Sequence, residues 1–322
     1  MLEDGFGRRF YYLRLSVTEV CNYRCNYCLP DGYRGQKNGF LESGEVATLA
    51  AAFARLGTEK IRLTGGEPSL RRDLPELIHA CSETPGIRKV ALTTNGYRLE
   101  ERIDDWVDAG LDALNVSVDS LDPDLFRTIT GHDRLHAVLA GVDRALSSGM
   151  EDVKINAVMM RRFNHGQLND FLEWLRERPV TLRWIELMRT GENPAFFREN
   201  HVPGEEVLAD MVDHGWEETP RARHAGPARE FRHPDYAGRI GFIMPYSKDF
   251  CDSCNRLRIS STGKLHLCLF GDDGMDVRQY CREGDVEGLA ERLQELVMGK
   301  RAAHRLHDAN PGGTRNLAMI GG

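Results

Sequence analysis

The 322-residue chain lacks any run of about 18 apolar residues, so no transmembrane helix is expected. Its first residues, Met1-Leu2-Glu3-Asp4, are acidic and carry no apolar stretch. A secretory leader is therefore not expected, and the cytoplasm is the expected compartment. Positive charge is not in excess: 42 Lys and Arg against 49 Asp and Glu leave −7, whereas a general nucleic-acid binder is usually basic. Internal repeats and low-complexity segments are lacking too. What remains is an ordinary globular composition, 41% hydrophobic and 28% charged, which excludes disordered and collagen-like classes. A chain of this length buries roughly three quarters of its unfolded surface and needs no disulfides to hold a core.

The charge is uneven. Residues 219–268 hold nine Lys/Arg and four Asp/Glu, a local net of +5, which leaves −12 for the remainder. A basic patch in an acidic chain suits a small anionic ligand better than a polymer, although a solvated face has the same composition. The cysteines are uneven as well. Six of the eight fall in two groups, Cys21, Cys25 and Cys28 near one end and Cys251, Cys254 and Cys268 near the other. Cys81 and Cys281 stand alone and read as buried, inert thiols.

Short β-branched runs at 11–17, 60–64, 89–94, 113–118, 153–160 and 181–188 alternate with helix-like stretches at 44–56, 74–81, 99–109, 135–147 and 168–178. Asp122-Pro123 offers an N-cap with proline at the first helical position. Gly57, Gly110 and Gly149 stand where left-handed C-caps are expected. Six strand–helix units imply parallel strands joined by right-handed crossovers, in an open sheet or an incomplete barrel. Polar and small residues close several strands, as in Thr64-Gly65-Gly66-Glu67 and Thr93-Thr94-Asn95-Gly96, where α/β enzymes keep their sites. After Gly215 the pattern changes. Residues 220–234 read as a loop, 239–244, 257–260 and 264–269 as strands, 286–298 as a helix, and the chain ends in a Gly/Asn-rich tail. The expected division is 1–215 for the barrel-like region and 216–322 for a C-terminal region.

Cys21-x-x-x-Cys25-x-x-Cys28 sits directly after the first strand. Three thiolates within eight residues can wrap one metal centre. Structural zinc usually takes four protein ligands, while iron–sulfur clusters use close spacings of this kind. Spacing alone leaves both open. Cys251-x-x-Cys254, thirteen residues, then Cys268 poses the same choice, with His266 available as a fourth zinc ligand on the same face of its strand. Arg256 and Arg258 alternate beside that second group and project to one face, able to bind an anion or to guard a sheet edge.

The octet Cys21-Asn22-Tyr23-Arg24-Cys25-Asn26-Tyr27-Cys28 resembles the signature of the radical S-adenosylmethionine (SAM) enzymes. That resemblance implies a partial (βα)6 TIM-like barrel with a C-terminal extension carrying a small antiparallel sheet and a second cluster site. It implies SAM and a [4Fe–4S] cluster on Cys21, Cys25 and Cys28, Tyr27 beside the adenine, and Gly66 of the Gly-Gly-Glu-Pro loop at the SAM amino group. In the family the reduced cluster cleaves SAM to a deoxyadenosyl radical that abstracts an unactivated hydrogen.

The likeness extends from Tyr11 to Gly322 and is similar to the GTP-cyclising branch that opens molybdenum cofactor biosynthesis. It rests on 63–71, 93–97, 114–121, Cys254-Asn255-Arg256-Leu257-Arg258, 264–270 and the terminal Gly321-Gly322. The resemblance implies a second [4Fe–4S] cluster on Cys251, Cys254 and Cys268, whose open iron meets the guanine of GTP. It implies triphosphate contacts from Arg14, Arg62, Lys154 and Arg183, with Lys60 a weaker fifth. Thr93, Arg256, Leu257 and Arg258 would also bind GTP, and Ser117 and Met188 would bind SAM. Hydrogen abstraction at C3′ and attack on C8 would give 3′,8-cyclo-7,8-dihydro-GTP, with Arg258, Gly321 and Gly322 contributing to turnover. It also implies a homodimer, a flavodoxin-like reductant (dithionite in vitro) and a downstream enzyme that forms cyclic pyranopterin phosphate. Nucleic-acid and membrane partners are not expected. Two readings compete: a radical SAM enzyme with an auxiliary cluster acting on a peptide, and a zinc-stapled nucleic-acid-binding module. The barrel cations argue against the first, and the acidic net charge and triads rather than tetrads against the second.

Overall fold

A computed structural model describes residues 1–271 and 274–321. Six parallel strands form its centre: β1 (Tyr12–Thr18), β2 (Lys60–Gly65), β3 (Lys89–Thr94), β4 (Ala113–Ser117), β5 (Asp152–Met159) and β6 (Thr181–Glu186). The crossovers are α1 (Ser43–Arg55), α2 (Leu74–Ser82), α3 (Leu99–Asp108), the pair α4 (Pro123–Thr130) and α5 (Leu135–Ser147), and α6 (Leu168–Leu175). The anticipated caps explain where several begin and end. The Asp122 carboxylate accepts from Leu125 N at 2.7 Å with Pro123 behind it, and Gly57, Gly110 and Gly149 all take positive φ.

The C-terminal strands are β7 (Glu217–Glu218), β8 (Arg229–Arg232), β9 (Arg239–Ile243), β10 (Arg256–Ile259), β11 (Lys264–His266) and β12 (Met275–Asp276). They continue the barrel sheet in two antiparallel segments. The order is β12-β11-β10-β1-β2-β3-β4-β5-β6-β9-β8-β7, with β10 parallel to β1 and β9 parallel to β6. Each open edge of the six-stranded barrel is thus paired by a strand from the C-terminal region, which satisfies backbone groups an edge would leave bare. Residues 220–234 are not all loop: Arg229–Arg232 forms β8, with Phe231 buried against Ile240. Its run of charged residues hid a strand whose outward positions are solvated. The strand expected over 264–269 ends at His266, before Cys268.

Strand alternation divides the side chains into two sets. Leu13, Leu15, Val17, Ile61, Leu63, Val90, Leu92, Leu114, Val116, Ile155, Leu182 and Trp184 point toward the helices and form the main core. Tyr12, Arg14, Lys60, Arg62, Thr64, Thr93, Asn115, Ser117, Asn156 and Arg183 line the lumen. The apolar set holds the fold, and the interleaved polar set faces the lumen. Cys81 and Cys281 are buried, and burial pushes both thiols up to about 12. No helix among the described residues is long and apolar enough to cross a membrane.

Candidate active site

One cavity runs through the lumen, and all six grouped cysteines line it. The first three sit on a loop leaving β1, held to the end of α4 by Arg24 N to Thr130 O and Asn26 N to Ile129 O, both 3.0 Å. Gly65 and Gly66 let β2 close against that loop. A Cβ on Gly66 would stand 2.4 Å from Val20 O, and Gly65, at φ +146°, would stand 2.1 Å from Thr18 O. Asn95 steadies the same loop, donating to Asn22 Oδ1 at 2.9 Å, with Cys21 Sγ 3.9 Å away. Tyr27 donates to Asp119 at 3.0 Å, and Asp119 also accepts from Val158 N. Burial raises the thiols of Cys21 to about 11 and Cys28 to about 12, and raises Asp119 to about 6. Gly66, Ser117, Met188 and Tyr27, the residues expected at SAM, all line this cavity.

The second three lie across the lumen. Cys254 N bonds Cys251 O at 3.1 Å, and Phe270 N donates to Cys268 Sγ at 3.4 Å. Burial pushes the Cys254 thiol up, but Arg256, Lys300 and Arg8 together hold it at about 7. His266 is not on the cavity wall. His304 is, but its Nε2 meets Pro245 O at 2.9 Å and its Nδ1 accepts from Leu306 N, so neither nitrogen is offered to a metal. Among the described residues no three His, Cys, Asp or Glu converge as the ligands of one metal ion would. Among the described residues each triad is a set of three thiols without a fourth side-chain donor, the set a cluster with one open iron needs.

Between the triads the wall is cationic. Arg14, Lys60, Arg62, Arg183, Arg256 and Arg258 line the cavity. Lys154 lies just beyond it, in an adjoining cleft of about 1110 Å³ that shares Lys60, Arg183, Gly226, Pro227 and Phe250. Arg62 is 1% exposed; its guanidinium donates to Tyr12 Oη at 2.6 Å and to Leu92 O and Thr93 Oγ1 at 3.1 Å. Neither Arg62 nor Arg258 meets a carboxylate among the described residues. Asp152 and Glu230 serve Lys154 and Arg183. Burial lowers Arg14 to about 10, Lys60 to about 7 and Arg258 well below the usual range.

The C-terminal tail enters this region. Arg258 and Arg14 donate to Gly321 O, and a Cβ on Gly321 would stand 2.2 Å from Thr64 Cγ2. Only glycine fits there at φ +64°. Gly322 lies outside the described residues. One expected residue is placed differently from its neighbours. Leu257 turns its side chain into the core, because period-two alternation opposes it to Arg256 and Arg258, and it does not line the cavity. Tyr12, Asn95, Lys300 and the 219–228 segment escaped the sequence reading. Tyr12 was the most accessible of these, since it shares Arg14's parity on β1.

A partial barrel with three thiols after its first strand defines a radical SAM enzyme, and the radical SAM superfamily matches residues 15–175. Molybdenum Cofactor Synthesis C matches residues 180–306. The chain is 55% identical to the GTP 3′,8-cyclase of Cronobacter sakazakii, over 100% of this chain and 99% of the relative. It is 54% identical to that of Aeromonas hydrophila, over 100% and 96%. The chain belongs to the GTP 3′,8-cyclase family, enzymes of molybdenum cofactor synthesis. The fold is also similar to Streptococcus suis SuiB bound to S-adenosylmethionine, with TM-score 0.64 and 12% identity over 97% of this chain and 77% of that one. At that identity the likeness speaks for the fold alone. The protein is thus a radical SAM enzyme that cyclises GTP and depends on SAM and a [4Fe–4S] cluster; the peptide and zinc-module readings are not favoured.

Proposed function

We propose that the two triads and the cations between them divide the work of one GTP-cyclising site. Cys21, Cys25 and Cys28 hold the first cluster, with Tyr27, Gly66, Ser117 and Met188 around SAM. Cys251, Cys254 and Cys268 hold a second [4Fe–4S] cluster. Arg14, Arg62, Lys154 and Arg183, with Lys60, bind the triphosphate, and Thr93, Arg256 and Arg258 bind the nucleoside. The observation that carries this reading is the convergence of Arg14, Lys60, Arg62, Arg183, Arg256 and Arg258 on one lumen, where Arg62 and Arg258 are buried and meet no carboxylate among the described residues. Lys and Arg are almost never buried unpaired, and a triphosphate with about four negative charges is the partner they need.

With cluster and SAM bound, the pair supplies a radical able to abstract hydrogen from carbon. The chain's own residues bind, orient and exclude water. Arg and Lys on β1, β2, β5 and β6 fix the triphosphate, and Arg256 and Arg258 on β10 fix the nucleoside. Arg14 and Arg258 hold the Gly321 carbonyl, with Gly321 packed on Thr64, so that the tail narrows the reaction space; Gly322, also assigned to turnover, lies outside the described residues. The product, (8S)-3′,8-cyclo-7,8-dihydro-GTP, then passes to an enzyme forming cyclic pyranopterin phosphate. Electrons come from a flavodoxin-like donor. A homodimer in the reducing cytoplasm, where thiolates persist, completes the reading.

Anaerobic reconstitution with iron, sulfide and zinc analysis tests it, followed by SAM, GTP and dithionite. About eight irons per chain, as two four-iron clusters require, with 5′-deoxyadenosine formed only when GTP is present, is the expected outcome. About four irons with full GTP-dependent turnover would remove the second cluster from the reading.

A further inference from the structure

Tyr12 is 3% exposed, yet its hydroxyl faces the cationic lumen. Arg62 Nε donates to it at 2.6 Å, at the short end of charge-assisted N–H···O bonds, which run about 2.7–2.9 Å. Lys60 Nζ lies 5.2 Å from its ring centre and the Arg62 guanidinium 6.0 Å. Its surroundings are cationic on every packed element: Arg14 on β1, Lys60 and Arg62 on β2, Arg183 on β6, and Arg256 and Arg258 on β10, where Arg256 pairs with Tyr12 in register. The carboxylates of this end, Asp152 and Glu230, are engaged by Lys89, Lys154 and Arg183.

We propose that Tyr12 is a positioning residue of the triphosphate site, a resident anion that holds Arg62 aimed into the lumen and takes up a proton when GTP arrives. The inference rests on the GTP reading given above and adds a proton to it. Burial alone would raise the phenol, but Arg62, Arg14, Lys60 and Arg183 outweigh it and hold Tyr12 at about 6. In the free enzyme at neutral pH the oxygen is therefore mostly phenolate. A triphosphate brought among the same cations reverses that field, because a nearby like charge disfavours the ionised form. The phenolate then binds a proton from solvent. As a neutral phenol it still accepts from Arg62 and can donate to a phosphate oxygen. No bond other than O–H forms and nothing is oxidised or reduced. By linkage, GTP binding weakens as pH rises through this range.

Lys60, held at about 7 by burial and by Arg62, titrates in the same interval and gains a proton in the same direction. The comparison therefore uses Lys60→Met and the double variant Lys60→Met/Tyr12→Phe. Both are reconstituted anaerobically and matched for iron content and melting temperature. GTP is titrated calorimetrically in buffers of different ionisation enthalpy from pH 6.5 to 8.5. The proton chemistry of GTP itself is common to both variants and cancels. The expected result is that Lys60→Met takes up on the order of one proton more per GTP than the double variant. Its Kd should rise by up to about tenfold more per pH unit. In turnover, Tyr12→Phe in the wild-type background should change the pH profile of KM for GTP rather than that of kcat. Equal proton uptake and parallel Kd–pH slopes in the two variants would overturn the role of Tyr12 and leave the GTP site standing. If Lys60→Met and the wild type both fail to bind GTP, the reading of the site itself fails.

Discussion

The two cysteine triads share a residue type, a count and a cavity, but not an electrostatic setting. The first is packed against carboxyl groups: Asp119 reaches Tyr27, and buried Glu67 accepts from Ser69 N, Thr94 Oγ1 and Asn95 N. The second faces Arg256 and Lys300, with Arg8 bonded to Cys251 O at 3.2 Å. Burial and neighbouring acids raise the first thiols; in the second set burial raises Cys251 too, but cations bring Cys254 down to about 7. Identical ligands can thus be set to different tasks by the charges around them. The first site suits an electron donor to SAM, and the second suits an anionic nucleotide.

The largest expected effect comes from removing one triad at a time. Cys25→Ser should abolish SAM cleavage under every condition and reduce iron by about half. Cys268→Ser should lose a similar share of iron but retain SAM binding, while GTP-dependent turnover falls below detection. Iron analysis with 5′-deoxyadenosine chromatography checks both. If the two variants behaved alike in SAM binding, the division between the triads would be gone.

Next is the tail, which touches both halves of the comparison. Leu317 and Ala318 line the cavity beside Cys28, and Gly321 rests on Arg14 and Arg258. Deleting Gly321 and Gly322 should eliminate turnover with the iron content unchanged. Full activity in the truncated enzyme would mean that the tail only plugs the lumen.

A smaller effect is expected from a single cation. Arg183→Ala removes a buried guanidinium whose Nη2 is 3.3 Å from Glu230 and which lines the lumen. A charge-assisted contact contributes about 1.5–3 kcal/mol, so KM for GTP should rise roughly 10- to 150-fold. SAM affinity should stay as it is if SAM sits at the first triad, as proposed above. Steady-state kinetics and SAM titration separate the two.

Much of this was legible in the sequence. Lys89–Thr94 and Leu135–Ser147 agree with expectation to the residue, because β-branched runs and capped amphipathic stretches are local signals. The thiols announced themselves by spacing. What stayed hidden depends on partners far along the chain. That β10 pairs with β1 and β9 with β6 follows from two open barrel edges, which no local pattern reports. The short β8 was masked by Arg229, Glu230 and Arg232, whose charges read as a loop but are met by Glu218, Arg183 and Glu217. Leu257 was expected to touch GTP by its place in a motif, and strand parity turned its side chain the other way.

The smallest predicted effect sharpens the opening contrast most directly. A cation close to a cluster stabilises its more negative, reduced form, and a carboxylate does the opposite. The second cluster should therefore have a higher midpoint potential than the first, as followed by redox titration with electron paramagnetic resonance. Lys300→Met tests the cause. Methionine preserves part of the side-chain volume beside Phe10 and Leu267 while deleting the charge near Cys251 and Cys254. The second potential should fall and the first should not move. An equal shift of both clusters would trace the difference to a change in the whole lumen, and no shift in either would mean that solvent, rather than the flanking charges, sets the second site apart.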